Sequence, residues 1–201
     1  MVDGNTKAIF DQLYSNIDGY KISLQSQKEL SYWYSGHIYG EITYDGFINM
    51  LTKADPKKGE IFYDLGSGMG KAVIIASLLF DFSKVIGIEK LSGLFNESKK
   101  VLSNYEEITN LNKDKTHSVF FLNNDFRDVD FSNADVIFMN ATCLPYELNN
   151  VLFIKKLEKL KKGTRFITCT LYIDSYEYNV SDIGKFPFTW GDERVYMSVK
   201  N

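Results

Sequence analysis

One stretch constrains this chain more than any other. The short apolar run Ile61-Phe62-Tyr63 ends in Asp64-Leu65-Gly66-Ser67-Gly68-Met69-Gly70, and an apolar, helix-like segment from Lys71 to Phe80 follows at once. A buried strand that stops at an acid and a glycine cluster before a helix opens a strand–turn–helix unit. Glycine lets the backbone turn tightly and approach a ligand, and the helix that follows offers free N–H groups at its start. Related units follow along the chain. Val85 to Ile88 is a second buried run, ending at Glu89, before a helical stretch from Leu94 to Tyr105. Ser118–Leu122, Val136–Met139, Phe166–Thr170 and Arg194–Val199 read as strands, and Leu148–Leu160 as a helix closed by Lys161-Lys162-Gly163. Continuous apolar strands alternating with helices predict a parallel sheet covered on both faces, a doubly wound α/β domain.

Ahead of that domain, Ala8, Ile9, Leu13 and Ile17 fall near helical spacing and predict one helix. Tyr44–Lys53 predicts a second, with Phe47, Ile48 and Leu51 on one face, and Ala54-Asp55-Pro56-Lys57-Lys58-Gly59 a turn. The expected division is a small helical extension over residues 1–52 and an α/β domain over 53–201. A chain of 201 residues suits one such core.

Composition narrows the function. With 23 basic against 26 acidic residues the net charge is −3, which argues against a nucleic-acid-binding surface and predicts weak or no direct nucleic acid binding. No apolar run approaches the roughly 18–20 residues of a membrane span, and Met1–Phe10 lacks a signal-peptide core. Cys143 and Cys169 are the only cysteines, so an intracellular, reducing location without disulfides is expected. His37, His117 and the two cysteines show no metal-ligand spacing, and no metal is expected.

Ligands of doubly wound sheets bind beyond the carboxyl ends of the strands, so the residues after 63, 88, 122 and 139 matter most. At the first point the spacing is Gly-x-Gly-x-Gly headed by an acid, and Lys71 stands where a pyrophosphate-binding turn would want its third glycine. A ligand with an amino-acid portion and a ribose but no pyrophosphate fits better, and S-adenosylmethionine is one. Asp64 could take its ammonium. Glu89, ending the next strand, could accept from both ribose hydroxyls. Asp125 could accept from the adenine amino group with Phe126 packed on the ring, and the Asn140 amide could face a transferred methyl.

These residues resemble those of class I S-adenosylmethionine-dependent methyltransferases. A narrower resemblance lies upstream: Ile38-Tyr39-Gly40-Glu41-Ile42-Thr43, then Phe62-Tyr63-Asp64-Leu65-Gly66-Ser67-Gly68, is similar to the disruptor-of-telomeric-silencing (Dot1-like) family of non-SET histone-lysine methyltransferases. Gly87-Ile88-Glu89-Lys90, Asp125-Phe126, Val136-Ile137-Phe138-Met139-Asn140, Lys162-Gly163-Thr164-Arg165, and Trp190 with Val195 continue the match over roughly residues 30–200. The resemblance implies a mostly parallel, seven-stranded, Rossmann-like methyltransferase sheet. It implies S-adenosyl-L-methionine as cofactor, a protein substrate such as a histone or nucleosome, and the nucleus if the histone reading holds. By the same resemblance Tyr39, Gly40, Glu41 and Ile42 close over the cofactor. Phe62, Asp64, Gly66, Ser67, Gly68, Gly70 and Lys71 line its methionine side, Glu89 its ribose, and Asp125 with Phe126 its adenine. Asn140 sits at the methyl, with Tyr34, Leu144 and Trp190 around a lysine channel. The chain departs from the family pattern at Lys71, Ala141, Thr142, Leu144 and Met197, and these 201 residues are expected to show no counterpart of the family's basic nucleosome-binding extension.

The chemistry makes its own demand. A lysine nucleophile has a reference pKa near 10.4, so only ~0.1% is neutral at pH 7.4, a cost of roughly 4 kcal/mol. No histidine lies in the motifs; a narrow apolar channel beside a sulfonium would lower that pKa instead. Two other readings stay open at this point: a methyltransferase for a non-histone protein or a small molecule, and a cofactor-binding module without turnover. Asn140-Ala141-Thr142-Cys143 lacks the paired prolines usual in amino-methylating DNA enzymes.

Overall fold

The computed structural model describes residues 4–28, 39–109, 118–142 and 150–201. The glycine-cluster unit forms as the pattern predicts: strand β1 (Ile61–Leu65) is followed by helix α4 (Lys71–Leu79). The units after it are β2 (Lys84–Glu89), α5 (Ser92–Thr109), β3 (Ser118–Asn123) and β4 (Val136–Met139). Helix α6 (Val151–Glu158) leads into β5 (Arg165–Cys169), and a hairpin of β6 (Tyr178–Phe188) and β7 (Gly191–Lys200) ends the chain. Asn150 caps α6 by accepting from the Leu152 and Phe153 amides.

The seven strands form one sheet in the order β3-β2-β1-β4-β5-β7-β6. The first five are parallel, and Phe62 sits beside Val85 on one side and Val136 on the other. The β7 strand runs antiparallel to both β5 and β6. Alternation along β1 feeds two cores. Phe62 joins Val85, Phe138 and Ile167 under α4 and α5, while Tyr63 and Leu65 join Ile86, Ile137 and Phe166 against Phe153 and Leu157 of α6. The winding therefore changes face between β1 and β4, which opens a crevice at their carboxyl ends.

Three helices precede the sheet: α1 (Gly4–Tyr14), α2 (Gly19–Lys28) and α3 (Tyr44–Lys53). The first two replace the single helix expected there. Asp18 starts a new helix, its side chain accepting from the Lys21 amide at 3.0 Å while its carbonyl accepts from Ile22. Both pack on α5, and α1 also on α4. Helix α3 matches its predicted bounds because Thr43 caps it through the Gly46 amide, and Phe47, Met50 and Leu51 sink fully into the core. Residues 148 and 149 of the expected 148–160 helix lie outside the described residues. Strand β6 is not foreshadowed by the sequence pattern. Only Tyr178, Phe186 and Phe188 of its eleven residues are buried, so it offers no apolar run, and Ile183 bulges between the pairs Asp182–Tyr196 and Gly184–Val195. Among the described residues no helix is long and apolar enough to cross a membrane.

Candidate active site

The turn after β1 is held by backbone conformation. Gly66, Gly68 and Gly70 have φ of 83°, 54° and 82°, the left-handed region that favours glycine. The amides of Gly66 and Ser67 donate to the Ile88 carbonyl, tying the turn to the end of β2. Glu89 completes the tie: one carboxylate oxygen accepts from the Gly68 amide at 2.8 Å, the other from the Leu91 amide at 2.7 Å. Burial raises the Glu89 pKa, and those backbone donors hold the rise back.

Asp64 is only 3% exposed and has no hydrogen-bond or ion-pair partner among the described residues. Burial first, and the charge of Glu89 second, push its carboxyl well above the usual range. The Ser67 hydroxyl is likewise buried and without a partner among the described residues. Orphaned polar groups at a cleft need an explanation, and a ligand that donates to them supplies one.

A strap over residues 39–43 crosses this turn. Its position comes from the hairpin: Ile42 bridges to Phe188, the Thr43 hydroxyl donates to the Pro187 carbonyl at 2.9 Å, and the Glu41 carbonyl accepts from the Thr189 amide. The Glu41 carboxylate then takes the Tyr39 hydroxyl at 2.7 Å on one oxygen and the Lys71 ammonium at 2.5 Å on the other. Both members of that ion pair are largely buried, and Lys71 also lies over the Tyr14 ring, 5.3 Å from its centroid. Burial, then the charge of Glu41, drives the Tyr39 phenol far above its ordinary value, so it stays a donor. The Tyr39 ring covers Gly68 so closely that a Cβ there would stand 2.7 Å from it.

At the third point, Asp125 Oδ1 accepts from the Arg127 amide and Nε, and Oδ2 from Arg127 Nη2 and Lys90. Burial works against the charge, but these donors win and hold Asp125 well below the usual carboxylate range. Four donors occupy the carboxylate's acceptor sites, whereas the sequence pattern alone suggests an Asp125 free to accept from a base. Phe126 packs edge-on against Phe153, and Asn140 lies half-buried beyond β4, its Oδ1 accepting from the Thr142 amide at 3.4 Å.

One cleft gathers Tyr39, Gly40, Glu41, Ile42, Asp64, Gly66, Ser67, Gly68, Lys71, Glu89, Asp125, Phe126 and Asn140. Three expected site residues stand elsewhere. Phe62 lies one pleat below Asp64, fully buried between Phe47 and Phe82, so it supports β1 from inside the core. Gly70 caps α4 against Phe121, whose ring would be 2.3 Å from a Cβ, and its role is to turn the chain. Trp190 sits on the β6–β7 turn, 41% exposed and outside the cleft lining, with its ring against Gly40. Tyr34 and Leu144 lie outside the described residues. Residues that the sequence motifs do not point to also line the cleft, among them Arg127 and Phe188. Arg127 carries a signal, a cation two places after an acid in a turn. Phe188 carries none unless β6 is recognised.

A doubly wound sheet with a glycine turn, a strand-end carboxylate and a strap over the switch-point cleft defines the Rossmann-like methyltransferase fold. An RNA methyltransferase from Salinibacter ruber, solved with S-adenosyl-L-homocysteine, shares it at a TM-score of 0.58 and 24% identity, over 77% of this chain and 90% of that one. Residues 20–187 match the family described as "Histone methylation protein DOT1", and the chain belongs to that family. An H3 lysine-79-specific histone-lysine N-methyltransferase of Eremothecium gossypii is 30% identical over 157 residues, 75% of this chain. This chain spans only 27% of that protein's length. A protein-lysine N-methyltransferase of Saccharolobus islandicus is 31% identical over 120 residues, 59% of this chain and 67% of that protein.

Proposed function

We propose that this chain is an S-adenosyl-L-methionine-dependent protein-lysine N-methyltransferase that acts on a histone, and so works in the nucleus. The observation that carries the reading is Asp64, a buried carboxylate without a partner among the described residues, which shares a cleft with the backbone-anchored Glu89. An ammonium-bearing nucleoside ligand would satisfy the first and hydrogen-bond to the second, and the orphaned Ser67 hydroxyl marks the same turn. When bound, the cofactor supplies an electrophilic methyl group. The protein's share is positioning and exclusion of water. Tyr39 and Glu41 close the turn from above, Lys71 locks Glu41 in place, and Asn140 offers an amide at the end of β4. A lysine nitrogen would have to give its proton to solvent before it could act as a nucleophile, so an apolar approach that disfavours the ammonium would lower the barrier.

The test has two arms. Calorimetric titration with S-adenosylhomocysteine should show binding that Glu89→Gln weakens about 30-fold, because the amide cannot replace both acceptors. Labelled methyl transfer should then appear on nucleosomes or core histones. Binding without transfer to either would reject the histone reading, and no binding would reject the enzyme.

A further inference from the structure

Beside the cleft runs a chain of polar contacts that the glycine motifs do not explain. It starts at Asn140, whose side chain accepts from the Thr142 amide. The Thr142 and Thr170 hydroxyls are 2.9 Å apart, and Thr170 Oγ1 donates to Glu193 Oε2 at 3.2 Å. Trp190 Nε1 donates to the other Glu193 oxygen at 2.9 Å, and the Trp190 ring rests on Gly40. The chain of contacts thus leaves one cleft-lining residue, Asn140, and returns to another, Gly40, through four residues that stand outside the lining.

Two features single out Glu193 within that chain of contacts. Its carboxylate is held by donors from two separate elements, yet has no cation partner among the described residues. The neighbouring Arg194 turns to Asp182 across the hairpin instead. Thr170 adopts φ of 68°, a left-handed conformation costly for a β-branched residue. Strain of this kind, on the order of 1–3 kcal/mol, persists where a site uses it, and here it aims the hydroxyl at Glu193. The neighbouring Cys169 is buried and pairs with Val195 of β7; burial raises its thiol pKa, and the charges of Glu193 and then Asp64 add to the rise.

We infer that Glu193 is the recognition residue for a cationic substrate side chain, receiving the lysine ammonium at the mouth of the cleft before it is stripped of water and proton further in. This rests on the methyltransferase reading and adds what that reading lacks, a carboxylate that selects for the amine. A carboxylate at the point of transfer would stabilise the ammonium and slow the reaction; at the rim it attracts the side chain without that penalty.

The probe is a fluorescein-labelled hexalysine peptide, followed by anisotropy with and without saturating S-adenosylhomocysteine. Glu193→Gln keeps an acceptor for Trp190 and removes the charge. It should weaken peptide binding about tenfold, the loss of one charge-assisted hydrogen bond, and leave S-adenosylhomocysteine affinity unchanged. Asp192→Asn, next to it and exposed, should change peptide binding less than about twofold. Equal weakening by both variants, or no weakening by Glu193→Gln, overturns the inference, as does a wild-type protein that does not bind hexalysine. Failure to bind S-adenosylhomocysteine defeats the methyltransferase reading instead, and the peptide arm still decides the role of Glu193. Thr170→Ala, which loses the hydroxyl but not the carboxylate, should weaken peptide binding about threefold; no change there overturns the positioning role of Thr170.

Discussion

The turn between β1 and α4 lines the cleft, the turn between β6 and β7 backs the strap that covers it, and the two are built by opposite means. The first is a backbone object: left-handed glycines, amides pointing at Ile88 and Glu89, and ring faces of Tyr39 and Phe121 pressed where side chains would otherwise be. The second is a side-chain object. Trp190 and Glu193 meet Thr170 and Gly40 through hydrogen bonds and a ring contact, on a hairpin at the edge of the sheet. A backbone turn can hold a ligand shared by many proteins, because its donors do not depend on neighbouring residues. A side-chain turn can be changed one residue at a time, which suits the recognition of a particular substrate.

The largest effect expected from this contrast is on stability. Gly70→Ala forces alanine into φ of 82° and its Cβ to within 2.3 Å of the Phe121 ring. About 1–2 kcal/mol for the left-handed backbone and about 1–3 kcal/mol for overpacking sum to about 2–5 kcal/mol. A fall of about 5–15 °C in the thermal midpoint should follow for a domain of this size. Trp190→Ala removes a half-exposed ring and should cost less than half as much. Calorimetric melting of the two variants reads this directly, and a larger loss at Trp190 would reverse the assignment of scaffold and reader.

A second, smaller effect separates two acids of the cleft by sign. The Asp64 pKa is raised by burial and by Glu89, so the folded state holds its proton where the unfolded chain has lost it. Stability therefore falls as pH rises above about 4, the unfolded value. Asp64→Asn should raise the melting temperature at neutral pH, with the gain shrinking as pH approaches about 4, while S-adenosylhomocysteine binding weakens. Asp125 is the mirror case. Its pKa is lowered by Arg127 and Lys90 against the opposing effect of burial, so its contribution is complete above about pH 4 and is lost as pH falls below it. Asp125→Asn should lower the melting temperature at neutral pH, and the deficit should close in acid. Melting curves between pH 3 and 8 check both; deficits of the same sign for the two variants would show that Asp64 has a stabilising partner.

The same contrast decides which features the amino-acid order reveals. The β1 turn is legible because its constraints are local. Gly66, Gly68 and Gly70 sit where only a left-handed backbone closes the turn, and β1, β2 and β4 are apolar runs because both their faces are buried. Phe62 misleads because sequence adjacency to Asp64 says nothing about depth. Two residues along a strand move a side chain by about 6.6 Å, enough to pass from cleft to core. The hairpin is half legible. The β7 strand has buried anchors at Val195 and Ser198, but β6 is polar over most of its length, with a bulge at Ile183 and Pro187 near its end, tolerated because it is an edge strand. Unless β6 is recognised, the strap has no visible support, and Phe188 has no place in the cleft lining. Asp125 stands out in the sequence, but its engagement by Arg127 and Lys90 depends on a local turn and a long-range contact that spacing does not reveal.

The smallest expected effect tests whether the hairpin side of the cleft carries any backbone constraint of its own. Thr170 has φ of 68°, its amide donates to the Arg194 carbonyl at 2.7 Å, and its hydroxyl is shared between Thr142 and Glu193. Thr170→Ala keeps the left-handed cost and loses the hydroxyl, worth about 1 kcal/mol. Thr170→Gly loses the same hydroxyl but recovers the roughly 1–2 kcal/mol of left-handed strain, less about 0.5–1 kcal/mol for its freer unfolded chain. The glycine variant should therefore melt within about 2 °C of wild type and above the alanine variant by about the same margin. If alanine melts as high as glycine, Thr170 stores no strain, and the second turn is held by side chains alone. If glycine melts higher, the hairpin side uses the device of the β1 turn at one residue, with the cost accepted because threonine's hydroxyl positions Glu193 in a way glycine cannot.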